Sequence, residues 1–197
     1  MKPQQTLDQL IPVLDDLAAV ADGVREDQRS APTPCAEFDV AALTGHITGW
    51  LESFAAGFAS TDGQCPSSDV SDVRVATDEA GPRIRSAAKT LADAVRGGAA
   101  TRPLSIGDSG MPGDMALSMI LGEYLVHGWD LATATGQRWT PDEGAAESAR
   151  EFLTTMVTPD SRGEGGWFGP EVDVPQDAGA LDRLVGFAGR DPGWSGS

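Results

Sequence analysis

The segment Gly122-Glu123-Tyr124-Leu125-Val126-His127-Gly128-Trp129-Asp130-Leu131-Ala132 decides how this chain is read. A helix over it sends Glu123 and His127 from one face about a turn apart, close enough to share an ion. Asp130 falls on that face three residues further on. From Met115 to Ala134 the apolar positions Ala116, Ile120, Leu131 and Ala134 keep the three-and-four spacing of a core-facing stripe, and the three polar residues lie inside it. A carboxylate and an imidazole turned into a core are costly unless they are hydrogen-bonded, paired with charge or bound to metal.

The only other histidine, His46, lies on a second helical pattern, whose stripe is Val40, Leu43, Ile47, Trp50, Leu51 and Phe54. His46 is three residues after Leu43 and four before Trp50, so it faces a core too. Two such helices can bring His46, Glu123 and His127 together as two nitrogens and one oxygen, a set that leaves a metal open positions for water or substrate. A plainer reading stands beside this one, because Glu-x-x-x-His is also the spacing of a hydrogen-bonded pair with no ion. Asp130 is placed to orient an imidazole or to end a helix rather than to ligate.

Working outward, Leu7, Leu10, Ile11, Leu14, Leu17 and Ala18 predict a first helix over about Thr6 to Ala21. Pro12 interrupts it, so the helix either starts near Pro12 or kinks there. Asp39 is the expected N-cap of the His46 helix, which runs to about Ala59. A Ser-, Asp-, Gly- and Pro-rich loop follows to about Val73, then a helix from about Thr77 to Val95 that Gly97 and Gly98 end. Residues 101–113 are too broken by glycine and proline for a helix and are placed to hang over one end of a bundle. Gly136 is the expected stop of the Glu123 helix. A further helix is expected over about Asp142 to Thr155, an extended stretch over Trp167 to Pro175, and a short helix from Ala180 to Gly189. The expected organisation is a core over residues 1–140 with an extension over 141–197 packed on it.

The 197 residues carry a formal charge of −16, which argues against nucleic acid as a partner because phosphate binding needs clustered Lys and Arg. No apolar run is long enough for a membrane span, and the N-terminus lacks a signal-peptide apolar region, so the expected setting is cytoplasmic. There a disulfide between Cys35 and Cys65 is a poor default, and Cys35 reads as a buried structural thiol rather than a nucleophile. Arg102, Arg183 and Arg190 are candidates to meet a substrate carboxylate, although solvated surface positions are the expectation for each. Tyr124 and Trp50 are read as wall.

Several motifs taken together resemble one family. They are Thr33-Pro34-Cys35-x-x-Phe38-Asp39-Val40-x-x-Leu43-x-x-His46, then Glu123-x-x-x-His127-Gly128-Trp129-Asp130-Leu131-Ala132-x-Ala134-x-Gly136. Phe168-Gly169-Pro170, Leu181-Asp182-Arg183-Leu184 and Gly189-Arg190-Asp191-Pro192-x-Trp194 complete the set. Spread over nearly the whole chain, they resemble the actinobacterial metal-binding proteins related to mycothiol-dependent maleylpyruvate isomerase, within the DinB-like superfamily. The resemblance implies an all-α fold, an up-and-down four-helix bundle with a short C-terminal extension. It also implies a divalent metal, usually zinc, held by His46, Glu123 and His127. Relatives carry Trp where this chain has Phe38. The isomerases proper have a larger C-terminal domain, so neither their substrate nor the catalytic residues of that domain carry over.

The function expected is that of a metal-dependent transferase or isomerase acting with mycothiol on a small electrophile, as a monomer or homodimer. Two alternatives remain open: a thiol-independent metal-dependent hydrolase or lyase, and a non-catalytic metal- or ligand-binding module.

Overall fold

The computed structural model describes residues 2–163 and 166–196. Four long helices, α1 (Pro3–Asp22), α2 (Val40–Ala59), α3 (Ala80–Arg96) and α4 (Gly113–Thr135), bury their apolar faces against one another. Two shorter ones, α5 (Glu143–Met156) and α6 (Ala180–Phe187), follow. The only sheet among the described residues is the hairpin of β1 (Leu104–Ile106) and β2 (Ser109–Met111), with Leu104 opposite Met111. The chain is all-α, a DinB-like bundle. Among the described residues no helix is long and apolar enough to cross a membrane.

Contacts at the helix ends give the directions. Arg85, early in α3, pairs with Asp22 at the end of α1. Gln137, just past α4, donates to the Val20 carbonyl near that same end. Arg102, just past α3, donates to the carbonyls of Phe58 and Ser60 at the end of α2. Hence α1 and α4 run one way, α2 and α3 the other, and in the four-helix ring α1 touches α3 and α4 while α2 touches α3 and α4.

Because α2 and α3 are parallel, the chain must climb back the length of α2 between them. Residues 60–79 do so along a track of small residues on that helix. Cys65 lies at Gly57, the Ser67 carbonyl accepts from Ser53, and Val70 and Val73 lie on Gly49 and Gly45. A Cβ on Gly45 would stand 2.3 Å from the Val73 carbonyl oxygen, so the close approach requires glycine there.

Local sequence explains the boundaries. The Asp39 carboxylate accepts from Ala42 N–H at 2.7 Å and starts α2, and Asp142 starts α5 in the same way. Gly136 ends α4 with a φ of 68°. α1 starts at Pro3 and runs unbroken through Pro12, so the expected start near Pro12 is corrected. Pro12 and Asp8, whose carbonyl loses its partner, both lie on the exposed face, where water replaces the bond. Within residues 101–113, Leu104–Ile106 and Ser109–Met111 pair as the hairpin. Leu104 packs at Gly57, eleven residues along α2 from His46 and so about 16 Å away along the axis, which removes this segment from the site.

α4 is buried nearly all round, since α1, α2 and α5 all pack on it. The single stripe read from its sequence is therefore too narrow: Leu117, Leu121, Tyr124 and Leu125 are fully buried as well.

Gly45→Ala tests the track. The substitution gains up to ~1 kcal/mol in helix propensity yet forces the return segment outward, and overpacking of this kind costs about 1–3 kcal/mol. Urea unfolding should show a net loss of stability. A gain would contradict the packing described.

Candidate metal centre

The residues ahead of α2 form a closed turn. Val40 N–H donates to the Ala31 carbonyl, Phe38 N–H donates to the Cys35 carbonyl, and the buried Thr33 hydroxyl lies 2.9 Å from the carbonyl oxygens of both Cys35 and Phe38. The turn holds the Phe38 ring 4.8 Å from the His46 ring and 6.3 Å from that of His127. The two imidazoles are 5.0 Å apart, nearly perpendicular.

Between them stands Glu123. Its Oε1 is 3.1 Å from His46 Nε2 and 3.4 Å from His127 Nε2. The three residues that the sequence singled out are thus brought together, with all three ligand atoms within 4.8 Å of one another. Glu123 is not sunk in the core as the stripe implied. Its side chain is 32% exposed and that of His46 22%, against 9% for His127, so the group opens on one side.

Behind His127 is a buried chain of opposite charges. His127 Nδ1 lies 3.0 Å from Asp130 Oδ2, and Asp130 is fully buried. Arg190, from the turn after α6, donates through Nη2 to Asp130 Oδ2 at 3.2 Å and through Nε to Oδ1 at 3.4 Å. A carboxylate only accepts, so Nδ1 donates. The position expected of Asp130, orienting an imidazole, is the one it occupies.

This has a consequence at Nε2. With Nδ1 protonated, a neutral His127 would aim an Nε2 lone pair at the Glu123 oxygen, and two acceptors face each other stably only with a cation between them. A proton or a metal ion meets that need. In the metal-free protein the proton does so: burial works against the charged imidazole, but the Glu123 and Asp130 carboxylates outweigh it and raise its pKa to about 9. Burial likewise opposes the Glu123 carboxylate, yet the two histidines hold it well below the usual range.

The donor set also fits a metal. Ligand atoms around a tetrahedral ion with bonds of ~2.0–2.1 Å are about 3.4 Å apart, and the distances of 3.1 and 3.4 Å from Glu123 Oε1 lie close to that spacing. Two imidazoles and one carboxylate suit zinc and its neighbours.

Other expected residues fall elsewhere. Arg190 is buried against Asp130, Arg183 pairs with Glu147, and Arg102 holds the end of α2, which corrects the expectation of solvated arginines. Tyr124 is fully buried and reaches the Ile47 carbonyl, while Trp50 stacks on Phe54. Both cysteines are free. Cys35 was missed as a neighbour of the site: its sulfur lies within 4.8 Å of ligand atoms of His127 and Asp130. Burial pushes this thiol up to about 11 despite Arg190, so it is protonated and unreactive at neutral pH. The one hint in the sequence was its place in the turn ahead of His46.

Comparisons with known proteins show the family. Residues 11–132 match the family model described as mycothiol maleylpyruvate isomerase N-terminal domain. Two uncharacterized proteins from Mycobacterium tuberculosis, one from strain CDC 1551 / Oshkosh and one from strain H37Rv, are each 32% identical over 176 residues. The alignment covers 89% of this chain and 92% of each relative. No solved structure matches the chain significantly.

The proton between His127 and Glu123 can be measured. In metal-free protein the His127 resonance should titrate near pH 9 rather than near 6.5. A pKa raised on folding adds stability that is fully present below about 6.5 and is lost as pH rises through about 9, a contribution of roughly 3 kcal/mol at most. Asp130→Asn should lower the titration by one unit or more. A His127 resonance that titrates near 6.5 would contradict the assignment.

Proposed function

The chain belongs to the family of the mycothiol maleylpyruvate isomerase N-terminal domain, and on that premise we propose that it binds a divalent metal, most simply zinc, through His46, Glu123 and His127 and uses it in mycothiol-dependent transfer or isomerisation of a small electrophile. The observation that carries the reading is the single Glu123 oxygen set 3.1 and 3.4 Å from two imidazole nitrogens, an arrangement that calls for a cation.

When bound, such an ion supplies a site at which a thiol is held as thiolate, the nucleophilic form, at neutral pH. The chain's own residues do the rest. His46 Nε2 and His127 Nε2 offer lone pairs, and the His127 ring is held in register because its Nδ1–H is committed to Asp130. Arg190 donates to both Asp130 oxygens and so offsets the charge of the carboxylate that holds the ring. Phe38 covers the histidines and sheds water, while Glu123 faces the opening through which a substrate arrives. Cys35, protonated and hemmed in, does not compete as nucleophile.

In this reading residues 141–197 are an extension whose last turn, through Arg190, completes a site built by residues 1–140. The setting is the cytoplasm, and the charge of −16 keeps nucleic acid out of the list of partners.

Elemental analysis checks the premise. Wild-type protein incubated with zinc at neutral pH should carry close to one ion per chain, and His127→Ala and Glu123→Gln should lose it. Because metal displaces the His127 proton, loading at pH 7.5 should release about one proton, read by calorimetry in buffers of different ionisation enthalpy. Mycothiol should then perturb the absorption of the cobalt-substituted form. Wild-type protein that stays metal-free would overturn the reading. Metal binding with no response to thiols would favour the hydrolase or binding-module alternatives.

A further inference from the structure

Two rows of half-buried residues meet at the metal centre. From Met115 to Ala132, α4 is open to solvent at three positions only, Met115, Met119 and Glu123, spaced by four and so on one face. On α2 the only such positions from Leu43 to Leu51 are His46 and Trp50, again four apart. The two helices run in opposite directions, with His46 against Glu123 and the Tyr124 hydroxyl donating to the Ile47 carbonyl. One turn onward from His46 is therefore level with one turn back from Glu123. Trp50 stands at the level of Met119, and Phe54 at that of Met115. The opening of the centre continues in this way as a seam between α2 and α4, ~12 Å long from Glu123 to Met115.

The chemistry of the seam is apolar and polarisable. Trp50 stacks on Phe54 with ring centres 5.3 Å apart. Methionine side chains are flexible and fit irregular shapes, and their sulfurs pack well on aromatic rings. Neither α2 nor α4 contains a lysine or an arginine. Glu52, the one carboxylate within α2, is held by Arg83 of α3, and Arg190 and Arg183 are committed to Asp130 and Glu147. The two helices thus bring no cation to the seam that could hold an anionic ligand.

We propose that this seam is the subsite for the apolar part of the electrophile, and that Trp50, Met115 and Met119 set its class, an uncharged aryl or alkyl compound. The inference rests on the metal reading above and adds the chemistry of the molecule that reaches the ion. A carboxylate laid along the seam would be stripped of water against thioethers and an indole with nothing to pair it. A dicarboxylate such as maleylpyruvate is therefore a poor fit, whereas an aryl group gains contact with Trp50 on one side and adaptable Met119 on the other.

Two probes that differ by one sulfonate test this: N-phenyl-1-naphthylamine, uncharged at neutral pH, and its anionic counterpart 8-anilinonaphthalene-1-sulfonate. Titrated into zinc-loaded protein and followed by fluorescence, the neutral probe should bind at least about tenfold more tightly than the anion. Met119→Gln and Trp50→Leu should each weaken the neutral probe about fivefold or more with zinc content unchanged. Met156→Gln and Trp167→Ala, at the large apolar side chains most exposed elsewhere, should leave it unaltered. With cobalt in place of zinc, the proton resonances of the bound probe should broaden, because the seam begins at the ion. Binding that survives both seam variants, binding lost in Trp167→Ala, or an anion held as tightly as the neutral probe would overturn the subsite and leave the metal reading standing. Protein that takes up neither zinc nor cobalt would bring down the metal reading and the subsite with it.

Discussion

A single carboxylate oxygen, Oε1 of Glu123, has an imidazole nitrogen on either side of it, and this crowding of acceptors around one point organises the molecule. His127 cannot relieve it by turning its N–H toward Glu123, because its other nitrogen is bound to the fully buried Asp130. Asp130 in turn is held in the core by Arg190, which meets both of its oxygens. These contacts leave one requirement, a positive charge between Glu123 and His127, which a proton meets in the metal-free protein and a metal ion can meet in its place.

The fold exists around that point in a specific way. His46 reaches α4 because α2 and α4 are neighbours in the ring, and they are neighbours because residues 60–79 carry the chain back along α2 instead of turning sharply into α3. The return depends on Gly45, Gly49, Ser53 and Gly57, which let backbone lie almost on the helix. At the other end of the chain, Arg190 crosses from the turn after α6 to Asp130. The last residues are therefore tied to the centre by charge as well as by apolar contact.

Much of this was legible from spacing. Glu123, His127 and Asp130 share a helix, where the period fixes their relation, and His46 lay on a second stripe whose apolar neighbours set its direction. Helix starts at Asp39 and Asp142 and the stop at Gly136 follow from local chemistry and needed no tertiary knowledge. What spacing could not show was anything dependent on distance across the fold. The role of Arg190 required knowing that α6 ends beside Asp130. Cys35 looked isolated because its neighbours His127 and Arg190 are far away in sequence, and the small residues of α2 carry no local sign of the segment that packs on them. The hairpin at 104–111 escaped notice because three-residue strands give too little alternation to count. Pro12 misled for the opposite reason: a strong local signal was overridden by apolar packing on both sides of it.

The most direct test of the cation site is X-ray absorption on the zinc-loaded, thiol-free protein. If His46, Glu123 and His127 hold the ion, the nearest shell contains only nitrogen and oxygen, with imidazole scattering from two rings and bonds of about 2.0–2.2 Å. A sulfur neighbour near 2.3 Å would place the ion on Cys35 instead and would contradict the arrangement described.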